Sequence, residues 1–265
     1  MGLKDVKCFI LDMDGTIYLG NQLFSYTKEF LDTVKKCGLD YWYYTNNSSK
    51  NAALYVKKLE NMGIPVEPHK MLISNQVIIE YIKKNHPGAK VYIVGTKYLV
   101  DDFTASGIEL SDRDADIVVV GFDITLTYEK LIKACDLVRY GALFYGVNMD
   151  YNCPTETGFI PDCGSICQLI YASTKVKPEF FGKPSEHTAK FILEKSGYEK
   201  KDLAIIGDRI YTDIALGSYN GFTSIMVLSG ESKLKDIETS DAKPTLIYDS
   251  LKEITKDLKK IYGIG

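Results

Sequence analysis

The chain has 265 residues, of which 45% are hydrophobic and 25% charged, with a formal net charge of −3. Such a composition excludes a disordered chain and provides no basic surface for nucleic acid polymers or anionic membranes. No apolar run approaches the roughly 20 residues needed to span a bilayer, and the N-terminus carries Lys4, Asp5 and Lys7 where a leader would be apolar, so a cytoplasmic protein is expected.

In chain order, Phe9–Leu11 reads as a short buried strand that stops on Asp12-Met13-Asp14-Gly15-Thr16, with Gly15 marking the turn. Ser25–Lys36 reads as a helix closed by Gly38. Tyr41–Tyr44 is a second apolar strand ending at Thr45-Asn46-Asn47-Ser48, and its aromatics fit sheet packing better than a stacking platform. Helices are expected over Ser49–Met62, stopped by Gly63 and Pro65, and over Ser74–Asn85, stopped by His86-Pro87-Gly88. Val91–Val94 and the β-branched Ile117–Val120 read as strands, each running into a glycine. Tyr128–Tyr140 is a helix, Leu143–Val147 a strand ending at Asn148, and Gly164–Ala172 a helix. A helix over Ser185–Ser196 precedes the strand Leu203–Ile206, which ends at Gly207-Asp208. Thr212–Tyr219 is helical, Thr223–Val227 a strand, and Ser250–Ile261 the last helix.

Strands alternating with helices predict an α/β protein with a Rossmann-like, doubly wound parallel sheet. The middle of the chain has its own strands and is flanked by Asn85-His86-Pro87-Gly88 and Lys177-Pro178. We therefore expect a core from residues 1–80 and 179–265, split by an inserted α/β cap domain at 81–178. The six cysteines are scattered, without a Cys-x-x-Cys pair. Cys153, Cys163 and Cys167 invite a zinc reading, but no His lies near them, so free thiols of a reducing compartment are expected. His69, His86 and His187 follow no catalytic spacing and read as surface or capping residues.

Several polar groups stand at strand ends or on nearby loops: Asp12 and Asp14, Thr45 and Asn46, Lys183, and Asp208 with Asp213. In an open α/β sheet, ligands bind at the carboxyl ends of strands. The residue types suit phosphoryl transfer to a carboxylate. Asp12 is an oxygen nucleophile that is anionic at neutral pH, and it needs a hard cation between itself and a phosphate dianion. Asp12 and Asp208 are the candidate Mg²⁺ ligands, with Asp213 supporting them from behind. Lys183 would neutralise phosphate charge, and the Thr45 hydroxyl would bond phosphate oxygens. Asp14 would protonate the leaving alkoxide and then deprotonate water, which requires a raised pKa.

Asp12-Met13-Asp14-Gly15-Thr16 resembles the D-x-D-G-T motif of the haloacid-dehalogenase-like (HAD) phosphohydrolases. Thr45-Asn46-Asn47-Ser48 resembles their second motif, Gly182-Lys183-Pro184 their motif-three lysine, and Gly207-Asp208-Arg209-Ile210-Tyr211-Thr212-Asp213-Ile214 their metal-binding motif four. The order and the form of motif four point to the branch of NagD and the p-nitrophenyl phosphatases, with a large α/β cap between motifs two and three. The resemblance implies Mg²⁺-dependent hydrolysis of a small phosphorylated metabolite through an aspartyl-phosphate on Asp12, with the Asp14 main-chain carbonyl also on the metal. It further implies cap closure over the core and a homodimer through the cap. Asn46 and the cap residues Asp123, Asn148 and Asp150 would meet the substrate. Two positions depart from the family: Met149 stands where Pro is usual and Asp162 where Gly is usual. A phospho-accepting signalling module, which shares the doubly wound sheet, and a phosphotransferase to a hydroxyl acceptor are the alternatives.

Overall fold

The computed structural model describes residues 2–155 and 157–264. Strand β1 (Cys8–Leu11) leads to a small hairpin, β2 (Tyr18–Leu19) and β3 (Gln22–Leu23), then α1 (Thr27–Lys36), β4 (Asp40–Thr45), α2 (Ala52–Asn61), β5 (Met71–Ile73) and α3 (Ser74–Asn85). There follow β6 (Val91–Val94), α4 (Lys97–Ala105), β7 (Ile117–Val120), α5 (Tyr128–Arg139) and β8 (Leu143–Gly146). A second hairpin, β9 (Asn152–Thr155) and β10 (Gly158–Pro161), precedes α6 (Cys163–Thr174), β11 (Glu179–Phe180) and α7 (Glu186–Ser196). The chain ends with β12 (Leu203–Gly207), α8 (Ala215–Asn220), β13 (Thr223–Val227), α9 (Leu234–Thr239), β14 (Leu246–Tyr248) and α10 (Leu251–Tyr262).

The chain divides into two compact units. The first comprises Met1–Thr45, Val56–Leu72 and Ala189–Gly265; the second comprises Asn46–Tyr55 and Ile73–Thr188. The first is built on a sheet with the strand order β14-β13-β12-β1-β4-β5. β1 pairs in parallel with β12 on one side and β4 on the other, so the order runs outward in both directions from β1. Every residue of β1 is buried, as expected of a strand covered on both faces of a parallel sheet. The register sets Leu11 opposite both Ile206 and Tyr43. Asp12, Thr45 and Asp208, each one or two residues further on, therefore leave the sheet at one edge, at its topological switch point. On the helical side, α1 buries Phe30, Leu31 and Val34 and packs against α10.

The second unit has the sheet β11-β8-β7-β6, parallel throughout. Its core is formed by Val118, Val120 and Phe144 of the strands with Leu131 and Val138 of α5 and Ile166 and Ile170 of α6. Val94, Val120 and Gly146 stand in register, so the loops after β6, β7 and β8 also leave at one edge. The Phe181 N–H to Gly146 C=O bond (3.1 Å) and the Gly182 N–H to Val147 C=O bond (2.7 Å) carry the ladder past β11 to Lys183.

Some expected elements differ. The helix expected from Ser49 starts at Ala52, because the Asn47 side chain accepts from the Ser49 N–H (3.1 Å) and hydroxyl (2.7 Å) and holds those residues in a turn. Asn51 then receives the Leu54 N–H (3.1 Å) at the true helix start. The helix expected over Thr212–Tyr219 is a wide π turn, Ile210–Ile214, followed by α8. Asp162, one of the two departures from the family pattern, is buried and accepts the Cys163 N–H (2.5 Å) as the N-cap of α6. All six cysteines are unbridged. Among the described residues no helix is long and apolar enough to cross a membrane.

Asp40, at the start of β4, ties this strand to its surroundings. It accepts from the Lys70 ammonium (2.9 Å), the Trp42 indole N–H (3.1 Å) and the Tyr41 N–H (2.8 Å). Burial pushes its carboxyl up, but these bonds and the Lys70 charge outweigh it and hold the pKa below its ordinary value. A depressed carboxyl stabilises the fold fully above its unfolded pKa of ~3.9 and loses that contribution as pH falls through the folded value. Asp40→Asn is expected to lower stability by about 1–2 kcal/mol at neutral pH. The Tm gap to the parent chain, followed by thermal unfolding, should be constant above pH ~5 and close below pH ~4. A gap of constant size down to pH ~3 would contradict this account.

Candidate active site

In the first unit the sheet edge gathers carboxylates. Asp12 continues the ladder of β1, its N–H donating to the Ile206 carbonyl (2.9 Å). Asp12, Asp208 and Asp213 each offer a carboxylate oxygen within 4.8 Å of the others. Asp208 and Asp213 are buried. Burial first, and the Asp213 charge second, push the Asp208 carboxyl up to about 7. One Asp213 oxygen is engaged by the loop itself: Oδ2 accepts the Arg209 N–H (3.1 Å). A Cβ on Gly207 would meet the Asp213 side chain at 2.2 Å.

Asp208 is held by close backbone on the side of its Oδ2. Its Oδ2 accepts the Glu231 N–H (2.7 Å), and its carbonyl accepts the Ser232 N–H (3.2 Å). A Cβ at Gly15 would lie 2.5 Å from Oδ2 and one at Gly230 only 2.0 Å away, so both positions need glycine for close approach. The Ser229 hydroxyl donates to the Gly15 carbonyl (2.7 Å), and the Ser232 hydroxyl accepts the Ile210 N–H (3.1 Å). Glu231 itself pairs with Arg209 (2.9 Å) and accepts from the Tyr211 hydroxyl (3.1 Å). Among the described residues, Asp208 Oδ1 is buried with no hydrogen-bond partner. Buried carboxylate oxygens do not stay unsatisfied at neutral pH without a proton or a cation.

Asp14 is half-buried on the turn after β1, bridged to Tyr18, with its Oδ1 accepting a long bond from the Gly20 N–H (3.4 Å). Burial raises its pKa against the opposing pull of that N–H, Lys58 and Arg209. Thr45 is buried at the end of β4.

The second unit holds the other predicted residues. Lys183 is only 3% exposed. The Asn46 side chain brackets its main chain: Oδ1 accepts the Lys183 N–H (2.7 Å) and Nδ2 donates to the Lys183 carbonyl (3.0 Å). Nδ2 also donates to Asp150 Oδ2 (3.1 Å). Asn148 donates through Nδ2 to the Asn46 carbonyl (2.8 Å) and accepts the Asp150 N–H (3.0 Å). Asn46, Asn148, Asp150 and Lys183 thus form one buried network. Asp123 stands outside it. One of its oxygens accepts from the Thr125 N–H (2.8 Å) and hydroxyl (2.6 Å), and the other accepts from the Lys130 ammonium (2.6 Å). His187 belongs to an aromatic group, stacked on Phe181 at 4.5 Å with its ring nitrogen 2.9 Å from Glu179.

The loop Ser229–Ser232 escaped the sequence reading. The available signal was Ser229-Gly230 shortly after the apolar strand β13, a glycine near the carboxyl end of a strand of the same sheet.

Comparison with known proteins fits this geometry. A profile of the haloacid dehalogenase-like hydrolases matches residues 9–109, and a second profile of HAD-like hydrolases matches residues 180–254. The acid sugar phosphatase of Staphylococcus aureus is 36% identical over 259 residues, covering 97% of this chain and all of that protein. Among solved structures, a 4-nitrophenylphosphatase from Thermotoga maritima is 41% identical with a TM-score of 0.91, covering 96% of this chain and 98% of that one. NagD from Escherichia coli K-12 is 30% identical with a TM-score of 0.86, covering 94% and 98%. With matches across nearly its full length and the carboxylates at the same strand ends that carry the motifs, the chain belongs to the haloacid dehalogenase-like hydrolase family, in the branch of NagD and the p-nitrophenyl phosphatases.

Proposed function

We propose that the chain is a Mg²⁺-dependent phosphatase that hydrolyses small phosphate monoesters, of the sugar phosphate, nucleotide or p-nitrophenyl phosphate type, through a phospho-aspartate on Asp12. The observation that carries this reading is the Asp12, Asp208 and Asp213 cluster within 4.8 Å, beside an Asp14 whose pKa is raised by burial. The names of its relatives, an acid sugar phosphatase and a 4-nitrophenylphosphatase, support the substrate class.

The donor set fits a hard cation: all oxygen, with the buried Asp208 Oδ1 in want of a partner among the described residues. Asp12, Asp208 and the Asp14 carbonyl would hold Mg²⁺, with Asp213 fixing the loop behind them through the Arg209 N–H. When bound, the ion supplies positive charge that offsets the repulsion between Asp12 and a phosphate dianion.

In the first step an Asp12 carboxylate oxygen attacks phosphorus while the ester P–O bond breaks, and Asp14 gives its proton to the leaving alkoxide. In the second step water attacks the phosphoryl group, Asp14 takes the water proton, and the bond to Asp12 breaks to release phosphate. Thr45 and Lys183 bind phosphate oxygens and stabilise charge in both steps. Asn148 and Asp150 shape the loop that reads the leaving group. Asp123, with both oxygens engaged by Thr125 and Lys130, enters this scheme as a support of its loop. The unbridged cysteines support a cytoplasmic setting. Association of two copies through the cap is proposed from the family resemblance.

Purified chain is expected to release p-nitrophenol from p-nitrophenyl phosphate with Mg²⁺ and to lose that activity in excess EDTA. Asp12→Asn should lower kcat at least about a thousandfold. Full activity in Asp12→Asn or in EDTA would sink the proposal. A stable phosphoprotein without turnover would point to the signalling module, and phosphate on an added alcohol to the phosphotransferase.

A Gly230→Ala variant places a methyl group 2.0 Å from Asp208 Oδ2 and must push the carboxylate aside. Mg²⁺ affinity, read by calorimetric titration of the free protein, is expected to fall about 10- to 100-fold. An unchanged affinity would show that Asp208 does not hold the ion.

A further inference from the structure

We infer that Asn46 is a positioning residue for Lys183, itself oriented by Asp150, with both amide N–H groups committed to protein partners and none left for a phosphate oxygen. This rests on the proposed role of Lys183 at the phosphate.

An asparagine amide has two N–H donors and an oxygen with two acceptor sites. Here both donors are committed, one to the Lys183 carbonyl (3.0 Å) and one to Asp150 Oδ2 (3.1 Å), and the oxygen accepts the Lys183 N–H (2.7 Å). The amide therefore acts on Lys183 as a neighbouring strand would, taking the N–H and the C=O of a single residue. Its orientation is determined by its partners. A flipped amide would set N–H against N–H and oxygen against both a carbonyl and a carboxylate.

The residue is fixed at its backbone too. Its carbonyl accepts from the Ser74 hydroxyl (2.8 Å) and from Asn148 Nδ2 (2.8 Å). Gly182 permits the approach: a Cβ there would lie 2.7 Å from Asn46 Oδ1 and 2.9 Å from Asn148 Cβ. Asn46, Asn148, Asp150 and Lys183 are all buried, so each bond works in a low dielectric and each loss leaves a polar group without its partner. The arrangement follows the logic of a catalytic triad's third member, in which a buried carboxylate orients a neighbour that in turn places the working group.

The consequence is a physical link between the Asn148–Asp150 loop and the motif-three lysine. Asp150 acts on Lys183 through the Asn46 amide. An isosteric Asn46→Asp change keeps the acceptor for the Lys183 N–H but sets a carboxylate against Asp150 and the Lys183 carbonyl.

The test compares p-nitrophenyl phosphate kinetics of Asn46→Ala, Asn46→Asp, the exchanged pair Asn46→Asp/Asp150→Asn, Lys183→Ala and Asn46→Ala/Lys183→Ala, with folding checked by circular dichroism. A lysine moved by about 1 Å costs on the order of 100-fold, so kcat should fall about 10- to 100-fold in Asn46→Ala and at least as far in Asn46→Asp. The exchanged pair should recover at least about fivefold over Asn46→Asp, because the amide introduced at position 150 would then donate to the carboxylate introduced at position 46. In the Lys183→Ala background, Asn46→Ala should cost nothing further, since the group it places is gone. Equal losses from Asn46→Ala with and without Lys183, or no recovery in the exchanged pair, would overturn the inference while leaving the phosphatase reading intact. If Lys183→Ala alone keeps full activity, the proposed role of Lys183 fails first. Should Asn46→Ala not fold, the isosteric exchanged pair still decides the question.

Discussion

Three carboxylates within 4.8 Å, two of them buried, repel one another at neutral pH, and the first unit is arranged around that repulsion. The strand register creates it, by ending β1 and β12 level with each other. The compensation is local: N–H groups of Arg209 and Glu231 are aimed at Asp213 and Asp208, and Arg209 adds a positive charge nearby. What is left uncompensated shows in Asp208, whose carboxyl is pushed up to about 7 by burial and by Asp213. A cation at this spot would relieve the repulsion outright, so the same crowding that costs stability favours binding there.

The second unit solves a different problem, that of fixing a long, flexible lysine. It does so at the backbone, through the extended ladder beyond β11 and the Asn46 amide, with almost the whole residue buried. Restraining the main chain removes freedom at the root of the side chain, where a small rotation has the largest effect at the tip.

The fold is legible in the sequence where one local force dominates. Val91–Val94, Ile117–Val120 and Thr223–Val227 match their strands residue for residue, because apolar, largely β-branched runs bounded by breakers leave little choice. Helix α4 is not legible: Leu99 and Phe103 are its buried residues, beside the acidic pair Asp101-Asp102, which is too weak a stripe to read. The hairpin β9–β10 and strand β14 escape for the related reason that they are short and largely exposed. In the site, the aspartates of the first turn stand together in sequence and are visible at once. Asn46 and Lys183 are 137 residues apart, so no spacing could reveal that one grips the other. Asp123 shows the reverse case, a polar residue after a strand whose hydrogen-bond partners, Thr125 and Lys130, lie in its own loop and the following helix.

Met149 lies half-buried between buried Asn148 and Asp150. The flanking residues hold the loop with their side chains, and the Met149 carbonyl packs where a Cβ on Gly164 would stand, 2.4 Å away. The frame thus runs through the side chains of Asn148 and Asp150 and the main chain of Met149. A change of side chain at 149 leaves each of those hydrogen bonds with both of its partners, whereas a change at 148 or 150 removes one.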